Sequence, residues 1–405
     1  MNITGIIVEY NPLHNGHLYH IEKSKETTSS DGIIAVMSGN FVQRGTPSLV
    51  DKWTRAKMAL LNGVDLVIEL PVLYSLSSAE FFAFGGVTLL DSIGVVNNLC
   101  FGSESGDISS IFNIAKVLLE EPRVFKENLK ENLDNGVTFP VARANALHSY
   151  FAKEEKHCLQ FNNLLDTANN ILAVEYCKSL LKINSNITPY TIKREGGTYN
   201  SMDLQDKFSS ASAIRNHIKN SGNLKELENH MPKSVLNILM ELKDLNHSFP
   251  FEEEMLPFIK HKYFSVGDGL ENLPDVSEGL HNRIYRSLNE SASLDDTMLN
   301  IKTKRYTYTR ISRILCQYFI GFDTIDTYSL RKEPCPYARI LGFNKKGSEI
   351  LKTMKKKSSI PLYTKMPKEI SPTLHLDIKA TKCYSLINKY CNPLSDFKNM
   401  PIILD

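Results

Sequence analysis

Paired cysteines, long apolar runs and tryptophan are all scarce in this chain. Its seven cysteines, Cys100, Cys158, Cys177, Cys316, Cys335, Cys383 and Cys391, are scattered through 405 residues, and no two form a C-x-x-C pair. That spacing argues against a zinc ribbon or a redox dithiol and fits a reducing cytoplasm. No apolar stretch approaches the roughly 20 residues that span a bilayer. The chain runs straight into an apolar strand without a signal peptide, so no membrane partner is expected. The only tryptophan, Trp53, reads as a packing residue. There are no internal repeats, and no biased tract beyond Lys355-Lys356-Lys357.

What is present is an ordinary globular composition, 42% hydrophobic and 23% charged, with length for two or three domains. The net charge of +2 hides an asymmetry: residues 1–180 carry −6 and the remainder +8. An acidic front and a basic back suggest separate tasks for the two ends.

The strongest local signal is Glu9–His17, EYNPLHNGH, directly after the apolar run 3–8. A buried strand thus meets a His-x-Gly-His turn that opens a helix at about 18–28. Such a turn lies at the carboxyl edge of a parallel sheet, where open α/β sheets bind ligands. Gly16 lets backbone approach a phosphate, and the helix start offers N–H groups and its positive dipole end. His14 and His17 add imidazole donors, with charge if protonated. Zinc is a weaker reading of this pair, because no third ligand stands at metal-site spacing.

Further strands are expected at 32–37, 65–70 and 96–101, alternating with helices at 51–62 and 75–92. Near-continuous apolar strands alternating with helices indicate a parallel sheet covered on both faces, a Rossmann-like doubly wound α/β domain. Helical spacing follows at 109–119, 124–133, 142–153 and 168–181, then a strand at 187–193 and a polar loop through Gly196, Gly197 and Thr198. Beyond about 225 helical patterning dominates. The expected division is 1–235, nucleotide-binding, and 236–405, mainly helical and basic.

A second phosphate element is expected at Phe208–Arg215, FSSASAIR. Ser209 and Ser210 stand where hydroxyls cap a helix or hold phosphate, and Arg215 follows one turn later. Two such helix starts could grip a triphosphate from both sides. Arg44 could bind phosphate or a substrate carboxylate. Lys52, Arg55 and Lys57 read as solvated or RNA-facing, and Glu69 as a cap on a neighbouring helix.

An HxGH turn after the first strand with a late Ser-Ser-x-x-x-Ile-Arg helix start resembles the HIGH-type nucleotidyltransferase superfamily. The flanks sharpen the resemblance: EYNPLHNGHLYH, MSGNFVQRG, KWTRAKMALLNGVDLVIELP, FGSESGD, ANNILAVEY, KTKRYTYTRISR and ARILGFNKKG are together similar to the bacterial tRNA(Met) cytidine acetate ligase family, over nearly the whole chain. The resemblance implies ATP contacts along Ile7, Val8, Glu9, Tyr10, Asn11, Pro12, Leu13, His14, Asn15, Gly16, His17, Leu18, Tyr19 and His20, and at Gly102, Asn169 and Arg194. It implies that acetate attacks the α-phosphate of ATP, that pyrophosphate leaves, and that the exocyclic amine of the wobble cytidine of elongator tRNA(Met) takes the acetyl group. His14 and His17 would then be the catalytic pair. Mg²⁺ would accompany the triphosphate on its own oxygens.

The basic C-terminal half suits RNA. Lys302, Lys304, Arg305, Arg310 and Arg313 interleave with Tyr306 and Tyr308, so that cations meet phosphates while rings stack on bases. An adenylyltransferase making a small dinucleotide-type cofactor is the alternative; it shares the front half but needs no basic second half.

Overall fold

The computed structural model describes residues 1–153, 164–165, 167–194, 204, 208–303 and 305–405. The loop at Gly196, Gly197 and Thr198, with Lys304, lies outside the described residues.

Ten strands are present among them: β1 (Ile3–Val8), β2 (Gly32–Ser38), β3 (Phe41–Val42), β4 (Thr46–Pro47), β5 (Leu66–Leu70), β6 (Asn98–Ser103), β7 (Thr188–Lys193), β8 (Ala338–Phe343), β9 (Leu362–Tyr363) and β10 (Ile402–Ile403). Eight form one sheet in the order β10-β8-β5-β2-β1-β6-β7, with β9 also on β8, while β3 and β4 form a separate hairpin. Pairing is parallel throughout the large sheet except where β8 runs antiparallel to β5.

The apolar strands are explained by burial on both faces. In β2, Ile34 and Val36 enter one core while Ile33, Ala35 and Met37 enter the other. The β5 strand repeats the alternation with Leu66, Ile68 and Leu70 against Val67. Helices Ala79–Ser92, Ile108–Glu120 and Ala168–Lys182 cover the first face. Helices Asn15–Thr27, Lys52–Leu60, Ala211–Asn220 and Lys233–Asp244 cover the second. The side chains alternate with period two, so a strand sandwiched this way has no polar face to show.

The expected division at 235/236 does not divide the sheet. Strand β8 pairs Leu66 with Phe343 and Glu69 with Arg339, and β10 then returns to β8 near the chain's end. The segment after 236 is mainly helical, yet it completes the sheet of the first half.

A buried charge cluster fastens this junction. Lys52 Nζ meets Glu69 Oε1 at 2.6 Å and Asp396 Oδ1 at 2.8 Å. Arg339 Nη1 meets Asp396 Oδ1 at 2.6 Å and Glu69 Oε2 at 3.3 Å. All four residues are buried. Lys52 and Glu69 are therefore neither solvated nor capping, contrary to expectation: each faces the opposite charge across the β5–β8 seam. Arg55 is likewise buried, whereas Lys57 is exposed. Trp53 does pack, with the Arg339 guanidinium 5.6 Å from its ring centre. Beside the cluster, burial and then Glu69 raise the Asp377 carboxyl above the ordinary range, and Tyr337 Oη donates to it at 2.5 Å.

Replacing one member of such a set strands the others without compensation. Lys52→Met is expected to lower folding stability by about 3–5 kcal/mol, read as a fall in the urea midpoint of the full chain.

Candidate active site

The carboxyl ends of β1, β6 and β7 open on one cleft. Its wall brings together Ile7, Val8, Glu9, Tyr10, Asn11, His14, Gly16, His17, Tyr19 and His20 with Gly102, Asn169, Arg194, Ser209, Ser210 and Arg215. Of the expected ATP contacts, Pro12, Leu13, Asn15 and Leu18 are not on the wall. Leu13 is buried in the core, and Asn15 Nδ2 donates to the Asn229 carbonyl at 2.8 Å. Leu13 and Asn15 thus seat the turn. Arg44, with Gln43 and Val42, does reach the wall, as do Phe82, Phe101, Leu172, Tyr176 and Ile192. These apolar residues lie far apart in sequence, and no motif marked them as one surface.

The HNGH helix start works differently from expectation. Its first N–H groups are already engaged: Asn15 donates to the His230 carbonyl at 3.1 Å, and His17 to the His14 carbonyl at 2.8 Å. Gly16 donates to His14 Nδ1 at 3.1 Å, and the His14 N–H to His17 Nδ1 at 3.3 Å. Both Nδ1 atoms therefore accept, which fixes each neutral ring as the Nε2–H tautomer. The two rings stack at 3.7 Å, with Tyr10 edge-on to His17. A Cβ on Gly16 would stand 3.0 Å from His14 Cε1, so the glycine makes room for this ring. Imidazole Nε2–H groups, rather than main-chain N–H groups, are the donors this turn can offer.

These imidazoles are uncharged. Burial, and then the Arg194 guanidinium, hold His14 down at about 3 and His20 at about 4. Burial also holds His17 well below the ordinary value, helped by His14 and Arg194. Positive charge on this wall is supplied by Arg44, Arg194 and Arg215.

The second helix start keeps free donors. Ser210 caps helix Ala211–Asn220 by accepting from Ala213 N at 3.0 Å. The N–H groups of Ala211 and Ser212 have no acceptor among the described residues. Arg215 Nη1 donates to the Asn11 carbonyl at 2.8 Å, tying this helix to the first turn. Arg44 Nη1 lies 3.5 Å from Ser212 Oγ. Backbone N–H groups, a helix dipole and arginines thus converge on one spot, as anion sites require.

Across the cleft, Asn169 Nδ2 donates to Glu104 Oε1 at 2.7 Å. Glu104 Oε2 accepts from Asn170 N at 2.9 Å. This clasp holds Asn169 two residues after Thr167, the N-cap of its helix. Gly102 pairs with Ile192 across β6 and β7, opposite the Arg194 side chain.

Arg55 supports the site from below. Its Nη1 donates to the Glu9 carbonyl at 2.6 Å, Nη2 to the Ser38 carbonyl at 3.0 Å and also to the Gly39 carbonyl, and Nε to the Val50 carbonyl at 3.2 Å. The β3–β4 hairpin is fixed from the other side. Gly45 has φ +82°, and a Cβ there would lie 2.4 Å from Arg313 N in helix Tyr308–Ile320. Ser312 Oγ donates to the Gly45 carbonyl at 3.0 Å. The hairpin that presents Gln43 and Arg44 thus rests on a helix of the C-terminal half.

The expected RNA contacts divide. Arg305 is exposed and paired with Glu278 at 2.5 Å. Arg310 donates to the Asp275 carbonyl at 2.8 Å, with Tyr306 beneath it at 5.4 Å. Arg313 is tucked against Asp275 at 4.0 Å. Arg310 and Arg313 therefore hold the helix in place, and Arg305 is freer to meet solvent-borne charge.

A doubly wound sheet with an HxGH turn and an anion site at its carboxyl edge defines a nucleotidyltransferase. The HIGH nucleotidyl transferase family model matches residues 1–397, and the chain belongs to that family. Among curated relatives, tRNA(Met) cytidine acetate ligase of Clostridium tetani is 61% identical, with 100% of each chain covered. The protein of the same name from Clostridium novyi is 57% identical, again over 100% of each. Among solved structures, apo Thermotoga maritima TmcAL matches with a TM-score of 0.92 at 37% identity, covering 100% of both chains. The same protein bound with alpha-thio ATP gives 0.89.

The histidine environment has a measurable signature. Native pKa values below that of free imidazole mean that protons bind the unfolded chain first as pH falls. Stability is therefore complete above about pH 6.5 and declines below it, toward the values held by His20 and His14. Imidazole ¹⁵N spectra are expected to show His14 and His17 as neutral Nε2–H tautomers at pH 6; a charged ring at that pH would contradict the assignment.

Proposed function

We propose that this chain is an ATP-dependent ligase that activates acetate as acetyl-adenylate and transfers the acetyl group to the wobble cytidine of elongator tRNA(Met), forming N4-acetylcytidine. The observation that carries the reading is full-length identity of 61% to a curated tRNA(Met) cytidine acetate ligase, and most of the expected nucleotide contacts line one wall.

In the first step an acetate oxygen attacks the α-phosphorus and pyrophosphate departs with the electron pair. The Nε2–H groups of His14 and His17 donate to α-phosphoryl oxygens as negative charge grows there. The Ala211 and Ser212 N–H groups, with Ser209, Ser210, Arg194 and Arg215, hold the leaving pyrophosphate. Neutral donors fixed in place stabilise that charge without being reorganised. The apolar patch of Phe82, Phe101, Leu172 and Tyr176 receives the adenine, with Asn169 at its polar edge. In the second step the cytidine N4 attacks the acyl carbon and AMP leaves.

Glu9 is the only carboxylate on the wall among the described residues. Mg²⁺ would therefore ride mainly on triphosphate oxygens and water. Residues 1–235 hold ATP, and the segment 236–405 supplies tRNA contacts through Lys304 and Arg305, while Arg310 donates to the Asp275 carbonyl. The tRNA substrate assigns the work to the cytoplasm; no helix among the described residues is long and apolar enough to cross a membrane.

Purified protein with ATP, labelled acetate and tRNA(Met) is expected to label the RNA, and His17→Ala to reduce that labelling by about 10²–10³-fold. Pyrophosphate release with another small substrate and none with acetate would overturn the reading. Arg305→Ala is expected to weaken tRNA binding and reduce its log–log salt slope by about 1.

A further inference from the structure

We infer that Glu9 is the general base of the acetyl-transfer step, taking the proton that the cytidine N4 must lose as it attacks the acyl carbon. The inference rests on the function proposed above. In that step the N4–C bond forms and the C–O bond to the adenylate phosphate breaks. The electron pair leaves with AMP, and one N4 proton passes to the Glu9 carboxylate. Neither imidazole of the first turn is free for this task at its Nδ1, because both Nδ1 atoms accept main-chain N–H groups.

Glu9 stands at the tip of β1 on the cleft wall. One oxygen, Oε1, accepts from the Gln43 N–H at 2.7 Å. The other, Oε2, has no hydrogen-bond partner among the described residues, which leaves an acceptor available to a substrate. Gln43 belongs to the hairpin seated through Gly45 and Ser312 on helix Tyr308–Ile320. The carboxylate is thus held by a hairpin that the C-terminal half supports, with Arg44 and Arg215 linking it to the helix start at Ala211.

The charged groups facing Glu9 are Arg44 from the hairpin loop, Arg215 from helix Ala211–Asn220 and Arg55 from helix Lys52–Leu60. Burial raises the Glu9 carboxyl, and these three guanidiniums and the Gln43 hydrogen bond pull the other way without cancelling it. A carboxylate more basic than usual is the better proton acceptor, provided it is ionised at working pH.

The test separates the two half-reactions. Acetate-dependent ATP–pyrophosphate exchange reports activation, and single-turnover transfer from acetyl-adenylate to tRNA(Met) reports the second step. Glu9→Gln keeps the acceptor for Gln43, and is expected to slow transfer about 10²–10⁴-fold, at least tenfold more than it slows exchange. The wild-type transfer rate should fall as pH drops through the Glu9 value. Glu9→Gln should lose this acid limb and Glu9→Asp should retain it at a lower rate. Equal losses in both half-reactions, or an acid limb that survives in Glu9→Gln, would overturn the assignment. If Glu9→Gln does not fold, a wild-type transfer rate with no acid limb overturns it equally. Wild-type protein that performs neither half-reaction with acetate would instead remove the function on which the inference rests.

Discussion

One buried guanidinium holds the catalytic edge of this molecule together. Arg55 has no carboxylate in hydrogen-bond reach among the described residues; it spends its donors on four main-chain carbonyls, at Glu9, Ser38, Gly39 and Val50. An isolated buried charge is strongly disfavoured, and here burial pulls the Arg55 value down to about 10. Charge-assisted bonds to carbonyls, about 1.5–3 kcal/mol each, offset that cost. Because three of these carbonyls, at Glu9, Ser38 and Gly39, come from the ends of β1 and β2, satisfying the arginine also fixes the separation of the loops that follow those strands. The position of the HNGH turn follows from this, and so does that of Glu9.

A second constraint works across the sheet. The cluster of Lys52, Glu69, Arg339 and Asp396 requires helix Lys52–Leu60, β5, β8 and the last ten residues of the chain to assemble together. Lys52 and Arg55 lie on the same helix, three residues apart, so one element serves both the seam and the site. The C-terminal half is consequently built into the nucleotide-binding sheet rather than appended to it. That arrangement lets the helix Tyr308–Ile320 bear directly on the hairpin that carries Arg44.

What the sequence made legible follows from how local each signal is. Strands β1, β2, β5 and β6 announce themselves through apolar runs because both of their faces are buried, whereas β7, at the sheet edge, is only half-buried along TPYTIK. The HNGH turn and the Ser210 cap are likewise local. Strand β8 was hidden, since ARILGF carries Arg339 inward to a charge partner that lies 270 positions earlier in the chain at Glu69. The inward direction of Lys52 and Arg55 was hidden for the same reason: helical spacing shows which residues share a face, but not what waits opposite a cation. The apolar wall formed by Phe82, Phe101, Leu172 and Tyr176 comes from three separate elements, and only the fold assembles it.

The charge states around the cleft follow from the same burial. A site built on protonated histidines would gain attraction for triphosphate, but three cationic rings beside Arg194 would repel one another. Burial resolves the conflict by leaving the rings neutral and assigning the fixed charge to arginines, which stay protonated under all ordinary conditions. The rings then contribute direction: each Nδ1 is locked by a main-chain N–H, so each Nε2–H has a defined aim. Glu9 is subject to the same low-dielectric surroundings with the opposite result, a more basic carboxylate. Desolvation in one cleft thus pushes imidazoles toward being donors and the carboxylate toward being an acceptor, and those are the two capacities that successive attacks at phosphorus and at an acyl carbon demand.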